Sequence, residues 1–181
     1  RIEKGLAFIQ EHLDTLQRAE KEFGVPKEII ASVIGVETRY GIHKGSYKVL
    51  DALSTLGFDY PPRASFFYSE LKYAFLLAKE QGFDIREMKG SYAGAMGYGQ
   101  FIPSSYRHYA IDFDGDEIVD ILNNPVDAIG SVANYFSMHK WKKGKPIAYW
   151  LSEKDLGKDY EVFTAKSLKP TKSIDNMRKS G

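Results

Sequence analysis

The stretch from Glu28 to Val36 constrains the fold more than any other: Glu-Ile-Ile-Ala-Ser-Val-Ile-Gly-Val, opened by Val25-Pro26. Proline suits the first turn of a helix, where its missing N–H would be unpaired anyway. Apolar side chains at 29, 30, 33, 34 and 36 cover most of the circumference, which predicts a central, largely buried helix that other elements surround. The run closes with Glu37-Thr38-Arg39-Tyr40-Gly41, and Gly41 is expected to stop the helix. A carboxylate in that position either pairs or works. One reading pairs Glu37 with Arg39 or another cation. The other leaves it at the edge of a poorly solvated cleft, where burial raises a carboxyl pKa towards neutrality and suits a general acid.

A chain of 181 residues is long enough for one domain with a real core. Its 43% hydrophobic and 27% charged residues, with a net charge of +1, match an ordinary globular composition. The charge is uneven, because residues 140–181 hold 11 Lys and Arg against 5 Asp and Glu. That tail either favours an acidic polymer or is simply solvated. The aromatic share is 14%, with 12 Tyr and 11 Phe. Tyrosine offers an apolar face with a polar tip, which suits a groove for sugars or peptides, though many of these rings must be core. The lack of cysteine excludes disulfides and thiolate chemistry. No apolar run reaches the roughly 18 residues a membrane-spanning helix needs. No signal peptide is visible, so the chain reads as a mature or trimmed one.

Ile2, Leu6, Ile9, Leu13 and Leu16 predict one surface helix over 2–22, and Phe23-Gly24-Val25-Pro26 breaks it. A short helix from Ser46 to Leu56 is expected to end at Gly57, and Tyr60-Pro61-Pro62 bars a helix just after it. Arg63–Gln81 gives the clearest helix, with Phe67, Leu71, Ala74, Phe75 and Ala78 on one face and Gly82 behind it. Lys89–Gln100 reads as loop. Pro103 starts a short helix through Tyr109, and Asn124-Pro125 starts another, with Asn124 as its cap and Ile129, Val132, Ala133 and Phe136 on one face. Ile147–Leu151 reads as a short strand. Without repeat or linker, the class is mostly α: a core over 1–145, then a basic segment over 146–181 that is irregular or β.

Two further stretches carry chemistry. Gly90-Ser91-Tyr92-Ala93-Gly94-Ala95-Met96-Gly97-Tyr98-Gly99-Gln100-Phe101 packs four glycines into ten residues. Glycine lets backbone approach a ligand closely, and Ser, Gln and backbone groups can bond sugar hydroxyls and acetamido groups. The Gly-Lys-Ser/Thr ending of a phosphate loop is missing. A floppy surface loop is the plainer reading, although Met96 and Phe101 suggest a loop pinned to a core. The second stretch is Asp112-Phe113-Asp114-Gly115-Asp116-Glu117-Ile118. Alternating carboxylates converge on a hard cation when a loop wraps round it, as in an EF-hand, with the seventh oxygen here from the Ile118 backbone. Glu117 stands at the sixth position instead of glycine, and Asn123 at the twelfth instead of glutamate. Asp127 is placed to close the shell from the next helix. The plainer reading is a solvated acidic turn.

Taken together, Glu37-Thr38-Arg39-Tyr40-Gly41, Tyr60-Pro61-Pro62-Arg63-Ala64, Ser91 through Pro103, the acidic loop and Asn124-Pro125-Val126-Asp127-Ala128-Ile129-Gly130-Ser131-Val132-Ala133-Asn134-Tyr135-Phe136 occur in an order that resembles the membrane-bound lytic transglycosylase B family, bacterial enzymes that cut peptidoglycan. The resemblance runs from about residue 20 to 145. It implies a lysozyme-like α domain with a deep groove and makes Glu37 the single catalytic acid and base. Ser91, Gln100, Phe101, Tyr135, Arg63, Met96 and Tyr98 become contacts for the glycan or its peptide stem. It also implies a structural calcium held by Asp112, Asp114, Asp116, the Ile118 carbonyl and Asp127, with no organic cofactor. The expected partners are peptidoglycan glycan strands and cell-wall remodelling proteins, not nucleic acid, for a monomer in the periplasm whose signal and outer-membrane anchor lie outside this chain.

Three departures accompany the resemblance. The family often has two adjacent arginines where this chain has Pro62-Arg63. Glu117 replaces a loop glycine. The family continues past the position of Gly181 into a helix with a groove-lining Tyr-Asn pair, so a truncated chain with a groove open on one side is expected. A hydrolytic muramidase and a peptidoglycan-binding scaffold without turnover are the competing readings.

Overall fold

The computed structural model describes residues 2–148 together with Ser173. The chain divides into two units, Arg1–Lys143 and Gly144–Gly181. In the second, Gly144 has a φ of 73° and Ile147 is exposed. Of the strand expected over 147–151, Ile147 and Ala148 are not in a strand, and the rest lies outside the described residues, as does most of the basic segment.

Among the described residues the first unit has seven helices and a two-stranded ribbon, so the mostly α expectation holds. Helix α3 (Lys27–Thr38) buries Ile30, Ala31, Ile34, Gly35 and Thr38. It is buried on one side only. Val36 is 73% exposed and Glu37 is exposed too, because the packed neighbours cover the opposite face. The expected single helix over 2–22 is two, α1 (Ile2–Glu11) and α2 (Leu13–Phe23), broken at His12, whose ring packs edge-on against Phe8. The buried positions are Gly5, Phe8, Leu16 and Ala19, while Ile2, Leu6 and Leu13 stay exposed. The cause is Tyr40. Its ring is wedged between α1 and α3 at two glycines: a Cβ on Gly5 would lie 2.5 Å from its hydroxyl oxygen, and one on Gly35 would lie 2.5 Å from Cζ.

Helix α4 (Val49–Asp59) runs through Gly57 instead of stopping there. A Cβ at Gly57 would meet the Tyr68 backbone nitrogen at 3.1 Å, so this glycine marks where α4 closes on α5 (Ala64–Gln81). Pro61–Arg63 forms a single 3-10 turn between them. On α5 the inward face is Phe67, Leu71, Ala74, Leu77 and Ala78, and Phe75 points out. The expected loop over 89–100 begins with a strand: β2 (Lys89–Gly90) pairs antiparallel with β1 (Tyr47–Lys48). Two-residue strands are too short to show a period of two. Helices α6 (Pro103–Tyr109) and α7 (Pro125–Met138) begin where their prolines predict, and Asn124 caps α7 by accepting the Val126 N–H at 2.9 Å.

Candidate active site and acidic loop

Helix α3 ends one residue after Glu37, and Arg39, Tyr40 and Gly41 follow with φ of 52°, 62° and 83°. The reversal therefore starts two residues before the glycine that was expected to cause it. Non-glycine residues pay for a left-handed conformation, so something must hold them. Thr38 does. Its Oγ1 lies 3.0 Å from both the Ile34 and Tyr98 carbonyl oxygens and accepts the Gly41 N–H at 2.9 Å. Gly41 then fits under Tyr98, where a Cβ would stand 2.1 Å from the ring. The end of α3 is thereby bonded to the glycine-rich segment.

Glu37 itself is neither of the two things predicted. It makes no ion pair among the described residues, so it is not neutralised by Arg39, and it is exposed, so the half-dry cleft is corrected to a solvent-facing carboxylate beside a rigid turn.

The glycine-rich segment is pinned, not floppy. Ser91 Oγ accepts the Ala93 and Ala95 N–H groups at 3.3 and 3.1 Å, and Ser91 donates its own N–H to the Ala95 carbonyl. Met96 and Phe101 exchange two backbone bonds of 2.9 Å across the tip. Between them Gly97 has a φ of 69°, and a Cβ there would lie 2.3 Å from the Ile121 carbonyl oxygen. Gln100, with a φ of 52°, donates its side-chain amide to the Lys44 and Gly97 carbonyls. Met96 is fully buried, so its side chain is core and not a sugar contact. Phe101 is buried and meets the Tyr135 ring at 5.6 Å, and His139 stacks on Tyr135 at 4.1 Å. Tyr98 is half-buried, and burial pushes its hydroxyl pKa up, with smaller pushes from Glu11 and Asp120. Arg63 is exposed and lies over the Phe66 ring at 4.3 Å. Thr38 and Lys44 are tethers that sequence patterns do not mark, because neither breaks a periodicity.

In the acidic loop, carboxylate oxygens of Asp112, Asp114 and Asp127 lie within 4.8 Å of one another. Asp116 falls outside that cluster, its Oδ1 accepting the Ile118 N–H at 2.9 Å. Asp112 accepts the Gly115, Asp116 and Glu117 N–H groups. Burial pushes its pKa up, but these N–H bonds outweigh it and leave the carboxyl below its ordinary value. Asp127 is fully buried and accepts the Phe113 N–H at 2.7 Å and the Asp120 N–H at 2.8 Å. Burial raises its pKa, the two N–H bonds lower it, and Asp114 and Asp112 add to the rise. Glu117 takes a φ of 71°, the left-handed conformation that glycine adopts without cost. The loop thus keeps the turn at the price of a strained glutamate. Three gathered carboxylates, one wholly buried, form a hard-oxygen donor set that suits a divalent cation such as calcium.

The family model described as the transglycosylase SLT domain matches residues 1–181. The chain is 52% identical over 147 residues to the membrane-bound lytic murein transglycosylase B of Escherichia coli K12, which covers 81% of this chain and 40% of that protein. The soluble lytic transglycosylase SltB1 of Pseudomonas aeruginosa superposes with a TM-score of 0.90 at 52% identity, over 100% of this chain and 60% of that one. The Escherichia coli lytic transglycosylase Slt35, solved in complex with calcium, matches with a TM-score of 0.78 at 52% identity, over 80% of this chain and 46% of that one. The chain therefore spans between 40% and 60% of the length of these relatives. Their shared architecture is the lysozyme-like helical fold that the resemblance implied. With the match running over every residue and half the positions identical to these relatives, the chain belongs to the transglycosylase SLT domain family.

Proposed function

We propose that this chain carries the centre of a lytic transglycosylase that cleaves the β-1,4 bond between N-acetylmuramic acid and N-acetylglucosamine in peptidoglycan, with Glu37 as acid and base. The end of α3 carries the reading: an exposed carboxylate in no ion pair among the described residues stands next to the buried Thr38, which is bonded to the glycine-rich segment that holds Ser91 and Gln100. A glycan seated over Glu37 would exclude water from it, which favours the neutral acid. Glu37 then gives its proton to the bridging oxygen as the bond to C1 of the muramoyl sugar breaks. The substrate's acetamido oxygen covers the positive charge at C1. The resulting carboxylate takes the proton of the muramoyl 6-hydroxyl, whose oxygen bonds to C1 and closes a 1,6-anhydro ring. No water is consumed. None of the ion pairs among the described residues involves Glu37, so the carboxylate is free to shuttle a proton.

Ser91, Gln100, Phe101, Tyr98 and Tyr135 are the proposed sugar contacts, and Arg63 the contact for the glycan or its peptide stem. In the acidic loop Asp112, Asp114 and Asp127 would hold a structural calcium, with the Ile118 carbonyl as a further oxygen; the cation would supply cohesion and no chemistry. Because the Escherichia coli relative is described as membrane-bound, a periplasmic, anchored parent protein is part of the same proposal. Mass spectrometry of muropeptides released from purified cell walls tests the reading. Anhydromuramoyl ends, one water lighter than hydrolytic ends and lost in Glu37→Gln, are expected. Hydrolytic ends would make the protein a muramidase, and no release by either form would leave a binding domain.

A further inference from the structure

Lys44 is a half-buried cation that makes no ion pair among the described residues. Its Nζ donates to the Leu122 carbonyl at 2.6 Å and sits 4.7 Å from the centre of the Tyr98 ring. Its own carbonyl accepts the Gln100 side-chain amide at 3.2 Å. One residue thus touches three segments: the turn that follows Glu37, the glycine-rich segment, and the exit of the acidic loop. The neighbouring contacts run the same way, since the Tyr98 N–H donates to the Ile121 carbonyl at 3.2 Å. An ammonium spent on a carbonyl and an aromatic face, with no carboxylate to meet, gains most where a second group fixes its position.

We propose that Lys44 is a positioning residue for the sugar-binding wall, its side chain holding the Tyr98 ring in the orientation it needs by tying it to the Leu122 end of the acidic loop. This rests on the glycan reading of the wall. Gln100 sits in a left-handed backbone conformation that its neighbours must hold, and the main-chain carbonyl of residue 44, independent of the side chain there, receives its amide from outside the segment. Through Tyr98, whose carbonyl is bonded to Thr38, the same tether reaches the residue next to Glu37.

The test uses the Glu37→Gln protein, which is expected to bind glycan without cutting it. Calorimetry with purified N-acetylglucosamine–N-acetylmuramic acid oligomers compares Lys44, Lys44→Met and Lys44→Arg. Methionine keeps the stem and loses the donor, so affinity is expected to fall about tenfold, while arginine retains a cationic donor and stays within about twofold. In proteins that keep Glu37, the Lys44→Met defect is expected in KM more than in kcat. Equal binding by all three overturns the proposal, and so does an equal loss in both variants. If the parent protein binds no glycan, the functional reading fails, and amide exchange then decides the role of Lys44. Faster exchange at the Tyr98 N–H in Lys44→Met, with Ile34 unchanged, supports the tether; unchanged exchange at Tyr98, or equal acceleration at Ile34, overturns it.

Discussion

Glu37 and Asp127 are both helix carboxylates at the border of the core, and the fold treats them in opposite ways. Glu37 is exposed and takes part in no ion pair among the described residues, while the rigidity lies in its frame: Thr38 bonded to two carbonyls, and three left-handed residues after it. Asp127 is fully buried and each of its oxygens accepts a backbone N–H. The difference separates two uses of the same group. The carboxylate proposed to release and recover a proton stands on a stiff mount without an ion pair among the described residues. One that organises a loop has its lone pairs aimed by the backbone.

The contrast can be broken at several strengths. Glu37→Gln is expected to slow lysis of purified cell walls by about 10²–10⁴-fold, the usual loss for a general acid. Its melting temperature should move by no more than about 1–2 °C, as for a surface change. A large drop in melting temperature would mean that Glu37 is structural after all. Asp127→Ala should do the reverse, because it strands the Phe113 and Asp120 N–H donors at a cost of about 1–3 kcal/mol each. Thermal unfolding would show a fall of roughly 10 °C; a fall under about 2 °C would show that the loop holds itself without that carboxylate.

Calcium comes next. At a free concentration of about 100 times Kd it should add about 2.7 kcal/mol, seen as a melting temperature several degrees higher, and Asp127→Ala should abolish the gain. A melting temperature indifferent to both chelator and added calcium would remove the metal from the account. The smallest effect belongs to a third kind of carboxylate, exposed but gripped. Arg86, by its side-chain bonds and then its backbone N–H, holds the Asp84 carboxyl at about 2. Because that value is depressed, the stabilisation is present above the ordinary aspartate pKa of about 3.9 and is lost as pH falls through about 2. Carbon-detected NMR titration should find that midpoint, and Arg86→Ala should return it to the ordinary range. A normal midpoint in the unaltered protein would show the pair to be loose in solution.

Helix starts were legible because their causes are local. Pro103, Pro125 and the Asn124 cap each act within one turn, and α6 and α7 begin where they predict. Of the acidic loop, the spacing of Asp112 and Asp114 was legible for the same reason, while Asp116 falls outside the carboxylate cluster that Asp127 joins from α7. What escaped depends on contacts far apart in sequence. Gly57 looked like a stop and is a crossing point, because Tyr68 on the next helix needs the space. Met96 looked like a groove residue beside its glycines and is core. The exposure of Glu37 was illegible for a further reason. Hydrophobic spacing tells which residues are apolar, not how many neighbours are available to cover them, and α3 is wrapped on one side alone.

The Tyr40 ring, wedged between Gly5 and Gly35, has a consequence for how this sequence can drift. A Cβ at Gly35 would press on the ring itself and one at Gly5 on its hydroxyl, so a side chain at either glycine forces Tyr40 to shift. The three positions share one steric constraint, since the space each glycine leaves is the space the ring fills. Gly5, on a different helix, therefore bears on the seating of the turn that follows Glu37.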